Sequence, residues 1–129
     1  MCFTNGCFDV LHRGHIELLK FCKANSDYVI VGLNSDKSAR RLKGHDRPIN
    51  TEIDRKFLLE SIKYVDTVII FDEETPYQLI SKLKPDIIVK GGDYKKDEVV
   101  GSDLAEVKIF ETVNGYSTTK AVQRSSNRR

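Results

Sequence analysis

The chain has 129 residues, 40% of them apolar and 31% charged, with 21 Lys and Arg against 19 Asp and Glu for a net charge of +2. That length builds one domain around one core, and so balanced a charge argues against nucleic acid as the main ligand. No apolar run approaches the ~20 residues that span a bilayer, and the N-terminus does not read as a secretory leader, which leaves no expected membrane partner.

A short apolar opening (Met1, Cys2, Phe3) leads into Thr4-Asn5-Gly6-Cys7-Phe8-Asp9-Val10-Leu11-His12-Arg13-Gly14-His15. A helical pattern over 14–24 follows, carried by Ile16, Leu19 and Cys22. A glycine-bearing loop between a strand and a helix is where an α/β fold sets backbone N–H groups against an anion. Histidines on both sides of Gly14 place two imidazoles at the mouth of that helix, where cations oppose the local dipole. A large negative charge between them resolves the conflict, and a polyphosphate is the simplest. The spacing is neither G-x-G-x-x-G nor a P-loop, so the histidines carry the argument.

Residues 27–34 read as a near-continuous apolar strand, the kind covered on both faces of a parallel sheet. Asn34-Ser35-Asp36 ends it, where open α/β sheets place ligands; Asp36 also reads as an N-cap for a helix over 37–42. Residues 37–50, with Lys37, Arg40, Arg41, Lys43 and Arg47, read as a mobile cationic clamp beside the phosphate site. Thr51 and Asp54 form a capping-box start for a helix with Ile53, Phe57, Leu58, Ile62 and Val65 at helical spacing. Arg55 lies off that stripe, free to point at a ligand. A β-branched strand follows over 66–71, then a helix over 76–83 with Thr75 as cap and Pro76 at its first position.

Ile87–Val89 is a fourth strand, delivering Lys90-Gly91-Gly92-Asp93-Tyr94 to its carboxyl end. The paired glycines suit a turn or a close backbone approach to a nucleotide, with Asp93 accepting from a ribose hydroxyl and Tyr94 covering a base face. A fifth strand spans 107–110. Ser117-Thr118-Thr119 precede a last helix, as caps or as donors to terminal phosphates. The expected architecture is therefore a Rossmann-like open parallel sheet of about five strands with helices on both faces, over residues 1–123. A disordered basic tail follows over 124–129. Three cysteines (Cys2, Cys7, Cys22), an odd count without metal-ligand spacing, suit reduced thiols of a cytoplasmic protein. The polar clusters hold no base paired to a nucleophile. They suit in-line attack of one phosphate on another, where positioning and charge neutralisation supply most of the rate.

The string TNGCFDVLHRGH (4–15) resembles the H-x-G-H signature of the cytidylyltransferase-like nucleotidyltransferases. With VGLNSD (31–36), RLKG and RPIN (41–50), PDIIVKGGDY (85–94) and GYSTT (115–119), the chain is most similar to the heptose 1-phosphate adenylyltransferase domain of bacterial ADP-heptose synthases. Many members carry that domain fused to a sugar kinase domain. The resemblance implies transfer of AMP from ATP to a sugar 1-phosphate, with release of pyrophosphate and with Mg²⁺ carried by the substrate phosphates. It implies that His12, His15, Lys43 and Arg55 are catalytic, and that Asn5, Gly6, Cys7, Phe8, Gly14, Lys90, Gly92, Asp93, Tyr94 and Ser117–Thr119 bind the nucleotide. Asp9, Asn34, Asp36 and Arg47 would hold the acceptor, and a homodimer is implied. A glycerol 3-phosphate cytidylyltransferase using CTP, a flavin mononucleotide adenylyltransferase and a non-catalytic nucleotide-binding module share much of the signature.

Overall fold

The structure is a computed structural model, and residues 1–92 and 94–111 are described. Five parallel strands form one sheet: β1 (Cys2–Gly6), β2 (Val29–Asn34), β3 (Thr67–Phe71), β4 (Ile87–Gly91) and β5 (Glu106–Phe110), in the order β3-β2-β1-β4-β5. β1 lies at the centre, paired with β2 from Cys2↔Val29 to Gly6↔Leu33 and with β4 at Cys2↔Ile87 and Phe3↔Ile88. Helices α1 (Arg13–Ala24), α2 (Asp36–Lys43), α3 (Glu52–Glu60) and α4 (Tyr77–Leu83) make the connections, and a 3₁₀ turn spans Lys96–Glu98.

The pleat sorts the strands into two cores. Cys2, Val29, Val31, Leu33, Val68 and Val89 face one side, where they meet Leu18, Leu19 and Cys22 of α1 and Leu59 of α3. Phe3, Ile30, Ile88 and Val107 face the other, against Ile80 of α4 and Val99. Helices thus cover both faces of the sheet, as the unalternating apolar strands require. Gly32 serves the second core by having no side chain, since a Cβ there would lie 2.6 Å from the Phe3 ring.

The elements depart from expectation in four places. The helix expected over 37–42 is present as α2, so the cationic segment is a loop only beyond Lys43, but the N-cap is Ser35, whose Oγ accepts from the Ser38 amide, rather than Asp36. The cap of α4 is Pro76, with no side-chain hydrogen bond, so Thr75 does not cap it. The 3₁₀ turn was not expected. Most tellingly, α3 is turned about its axis: Thr51 caps it as expected, accepting from the Asp54 amide, but Arg55 and Leu59 are its buried residues. Ile53 and Phe57, read as the inward stripe, are 74% and 68% exposed.

Candidate functional site

At the carboxyl ends of β1 and β4 the chain encloses a cavity of about 360 Å³. The β1–α1 loop forms much of its wall through Asn5, Gly6, Cys7, Phe8 and Asp9, and the start of α1 adds His12, Gly14 and His15. Lys43 enters from the end of α2, and Lys90 and Tyr94 from the end of β4. Thr4, Leu18 and Gly91 also line it. The sequence reading gave no role at the site to Thr4 or Leu18, because a strand residue and a helix residue carry no chemical mark of facing a ligand; of the glycine pair read as approaching a nucleotide, Gly91 is the one in the wall.

The two histidines cap the helix reciprocally. The Gly14 amide donates to His12 Nδ1 at 3.0 Å, and the His12 amide donates to His15 Nδ1 at 3.2 Å. Two further first-turn amides, of His15 and Ile16, donate to the His12 carbonyl. The amides of Gly14, His15 and Ile16 are therefore spent within the turn. An Nδ1 that accepts a hydrogen bond carries no proton, so each neutral ring holds its proton on Nε2. The rings stack at 3.9 Å between centroids. Burial, His12 and Lys43 together push the pKa of His15 down to about 4. His15 thus presents a neutral imidazole N–H donor at neutral pH. Phe8 takes a left-handed backbone (φ 46°) to set its ring edge-on against His15, at 5.3 Å. Such strain at a non-glycine residue persists only where the surroundings enforce it.

Asp9 is buried, and its carboxylate is taken up by the chain itself. It accepts from the Ile49 amide at 2.8 Å, the Asn50 amide at 3.0 Å and Arg47 Nη1 at 3.3 Å. Asn50 Nδ2 returns a bond to the Asp9 carbonyl at 2.8 Å. Asp9 therefore clasps segment 47–50 to the signature loop, and Arg47 is part of that clasp.

Arg55 overturns the expectation of a side chain free for ligand. It is 1% exposed. Its Nη1 donates to the carbonyls of Cys7 and Asn34 at 2.9 and 2.7 Å, and its Nε to the Asn50 carbonyl at 3.0 Å. Its Nη2 meets Asp36 Oδ1 at 2.8 Å. One planar fork thus ties together the signature loop, the end of β2, the start of α2 and the approach to α3. Asn34 is likewise engaged away from the cavity, donating to Ser38 Oγ at 2.9 Å. Arg55, Asn34, Asp36 and Arg47 stand behind the cavity wall rather than in it.

The two lysines differ from Arg55. Among the described residues neither Lys43 nor Lys90 has a carboxylate partner. Burial, and secondarily Lys43, lowers the pKa of Lys90. Burial raises that of Cys7 despite Lys43, Arg55 and Lys90 nearby, so the thiol stays protonated. Gly92 has φ 111° and donates its amide to the Phe110 carbonyl at 3.2 Å, a turn that a side chain would strain. Asp93 and Ser117–Thr119, expected at the nucleoside and the phosphates, lie outside the described residues, as does the tail 124–129.

Among the described residues no three His, Cys, Asp or Glu side chains cluster to hold a metal, and the carboxylate of Asp9 is already satisfied. The described residues do not form a metal cage. No helix among them is long and apolar enough to cross a membrane.

Comparison with known proteins gives this arrangement its context. The bifunctional protein HldE of Nitratiruptor sp. is 59% identical over 123 residues, 95% of this chain and 27% of that protein. The HldE protein of Wolinella succinogenes is 57% identical over the same length, covering 26% of its own. The chain thus spans about a quarter of the length of these relatives. Among solved structures, the lipopolysaccharide core biosynthesis protein of Thermoplasma volcanium superposes with a TM-score of 0.73 at 31% identity, over 90% of this chain and 97% of that one. Pantothenate synthetase of Thermus thermophilus, at 17% identity and a TM-score of 0.59, shares the fold alone. The Cytidylyltransferase-like family model matches residues 3–124, and the chain belongs to that family.

Proposed function

We propose that this domain transfers AMP from ATP to a sugar 1-phosphate, D-glycero-β-D-manno-heptose 1-phosphate, yielding an ADP-sugar and pyrophosphate. The observation that carries the reading is the reciprocal histidine cap: with both Nδ1 atoms accepting from backbone amides, His12 and His15 line a cavity that also holds two lysines with no carboxylate partner among the described residues. An oxygen of the acceptor phosphate attacks the α-phosphorus of ATP. The new P–O bond forms as the bond to the β-phosphate bridging oxygen breaks, and pyrophosphate departs with that oxygen. No proton need be removed from a phosphate nucleophile, which agrees with a site whose groups are donors and cations. His12 and His15 donate to the phosphate oxygens where charge grows, and Lys43 neutralises the triphosphate at the cavity mouth. Asn5, Gly6, Phe8 and Gly14 shape the nucleotide wall. Gly92 and Asp93 hold the nucleoside, and Ser117–Thr119 the leaving pyrophosphate. Mg²⁺ enters bound to ATP, as part of the substrate.

The protein works in the cytoplasm, a reading supported by three buried free thiols that suit a reducing compartment. The homodimer remains part of this proposal; the exposed Ile53 and Phe57 of α3 are apolar surface that a second copy would cover, and sedimentation at micromolar concentration tests it. The activity is tested by pyrophosphate release with ATP, CTP, GTP and UTP, each offered heptose 1-phosphate and glycerol 3-phosphate. Release with ATP and heptose 1-phosphate is expected; faster release with CTP and glycerol 3-phosphate would replace the adenylyl reading by the cytidylyl one.

A further inference from the structure

Transfer between two phosphates needs two anions held at once, and the cavity's donors and cations divide into two sets. His12 and His15 stand together at the start of α1, after β1. Lys90 rises from β4, on the side of β1 opposite to β2, and Lys43 comes from the helix that follows β2. The two lysines thus approach the end of β1 from opposite sides, close enough for Lys43 to disfavour the charge of Lys90. Lys90 is the more constrained. It lies within β4, paired with Ile109 of β5, and its Nζ sits 5.6 Å from the centre of the Tyr94 ring. That ring face holds the ammonium in place without neutralising it. A partly buried ammonium with no anion beside it among the described residues carries a desolvation cost that a ligand anion would offset. A lysine is a point charge suited to phosphate and ill-suited to reading the edge of a neutral base.

We infer that Lys90 is the acceptor-phosphate residue: its ammonium, braced by Tyr94, binds the phosphate monoester of the second substrate and holds it on the far side of the α-phosphorus from the leaving pyrophosphate. This rests on the transferase reading above and moves Lys90 from the nucleotide side, where the sequence put it, to the acceptor side. Lys43, within electrostatic reach of both His15 and Lys90, then bridges the two anions as they react. Such a division explains why one cation is carried on a rigid strand and the other on an exposed helix end. The attacking phosphate must be held in line, while the triphosphate must enter and its pyrophosphate leave.

The test compares wild type, Lys90→Gln and Lys90→Arg. Each is titrated with a non-hydrolysable ATP analogue, then with heptose 1-phosphate and, separately, with inorganic phosphate in its presence; steady-state KM values for both substrates accompany the titrations. Lys90→Gln should weaken both phosphate ligands and raise the acceptor KM by roughly 10- to 100-fold, the range of a lost hydrogen bond to a charged group. The analogue's affinity and the KM for ATP should move less than about threefold, and Lys90→Arg should recover part of the acceptor loss. A loss of analogue binding equal to or larger than the acceptor loss returns Lys90 to the nucleotide and overturns the inference. Unchanged acceptor binding in Lys90→Gln overturns it as well. If wild type turns over no sugar phosphate yet binds inorganic phosphate in a Lys90-dependent way, the transferase reading fails while the anion subsite stands.

Discussion

Two sets of cations meet at the same loops and have opposite fates. Arg55 is buried and saturated, its fork spent on three carbonyls and Asp36. Lys43 and Lys90 face the cavity with no carboxylate partner among the described residues. A satisfied cation is a rivet, and an unsatisfied one awaits an anion. The difference follows from chemistry: a guanidinium presents five N–H groups in a plane and can join several strand ends at once, whereas an ammonium serves one phosphate as a compact charge. Behind the wall the protein uses arginine to fix where the loops stand. In front of it, Lys43, Lys90 and the two histidines line the cavity.

The largest effect should come from removing the rivet. Arg55→Met leaves Asp36 without its ion pair and three carbonyls without their donor, so unfolding should become easier by roughly 3–5 kcal/mol, read as a shift of the urea midpoint. Lysine should not restore it, because one ammonium cannot span four acceptors. An Arg55→Met protein of wild-type stability with lost ATP binding would erase the distinction and place Arg55 among the ligand cations.

His15 joins both roles. Its Nδ1 accepts from the His12 amide, so His15→Ala loses a helix cap as well as the donor proposed for the reaction. Turnover should fall by about 10²-fold or more and stability by roughly 1 kcal/mol. His15→Asn separates the parts, since its side-chain oxygen can still accept at the cap. It should regain stability without regaining rate. If Asn restored turnover as well, His15 would act through the cap alone.

The same histidine gives stability a pH dependence. Its folded pKa of about 4 lies below its ordinary 6.5, so between those values the unfolded chain binds the extra proton. Stability is then full above pH ~6.5 and declines as pH falls toward 4, by an amount on the order of 1–3 kcal/mol. Urea midpoints of wild type at pH 7 and pH 4.5 should differ more than those of His15→Asn. Equal losses in both would assign the acid sensitivity to other groups.

What could be read from sequence divides along the same line. The β1–α1 loop declared itself because histidines at a helix start and glycines at a strand end are residue types with few other uses. The sheet declared itself through unbroken apolar runs. The face of α3 did not: Ile53 and Phe57 lie four residues apart, and so do Arg55 and Leu59. Helical spacing shows that two residues share a face but not which face turns inward. What turned Arg55 inward was a ring of acceptors from Cys7, Asn34, Asp36 and Asn50, far apart in sequence until the fold assembles them. Asp9 was legible as a polar residue at the site, yet the amides of Ile49 and Asn50 that occupy its carboxylate carry no signature in a side-chain alphabet.

The smallest effect is expected at Cys7, which lies in the cavity wall between the two sets of cations and belongs to neither. Its thiol is 8% exposed, and burial outweighs the pull of Lys43, Arg55 and Lys90, holding it protonated above the ordinary thiol range. A thiolate is the nucleophilic form, so proximity to three cations has not made this sulfur reactive. The contribution of Cys7 to the rivet runs through its carbonyl, which accepts from Arg55 and survives any side-chain change. Cys7→Ala should therefore keep kcat/KM within about threefold, and iodoacetamide at pH 7.5 should modify wild-type Cys7 more slowly than a free thiol titrating near ~8.5. A tenfold loss of turnover in Cys7→Ala, together with fast labelling suppressed by ATP, would instead make the sulfur part of the ligand-facing set, and the division between the backbone that builds this loop and the side chains that serve the reaction would no longer hold at this position.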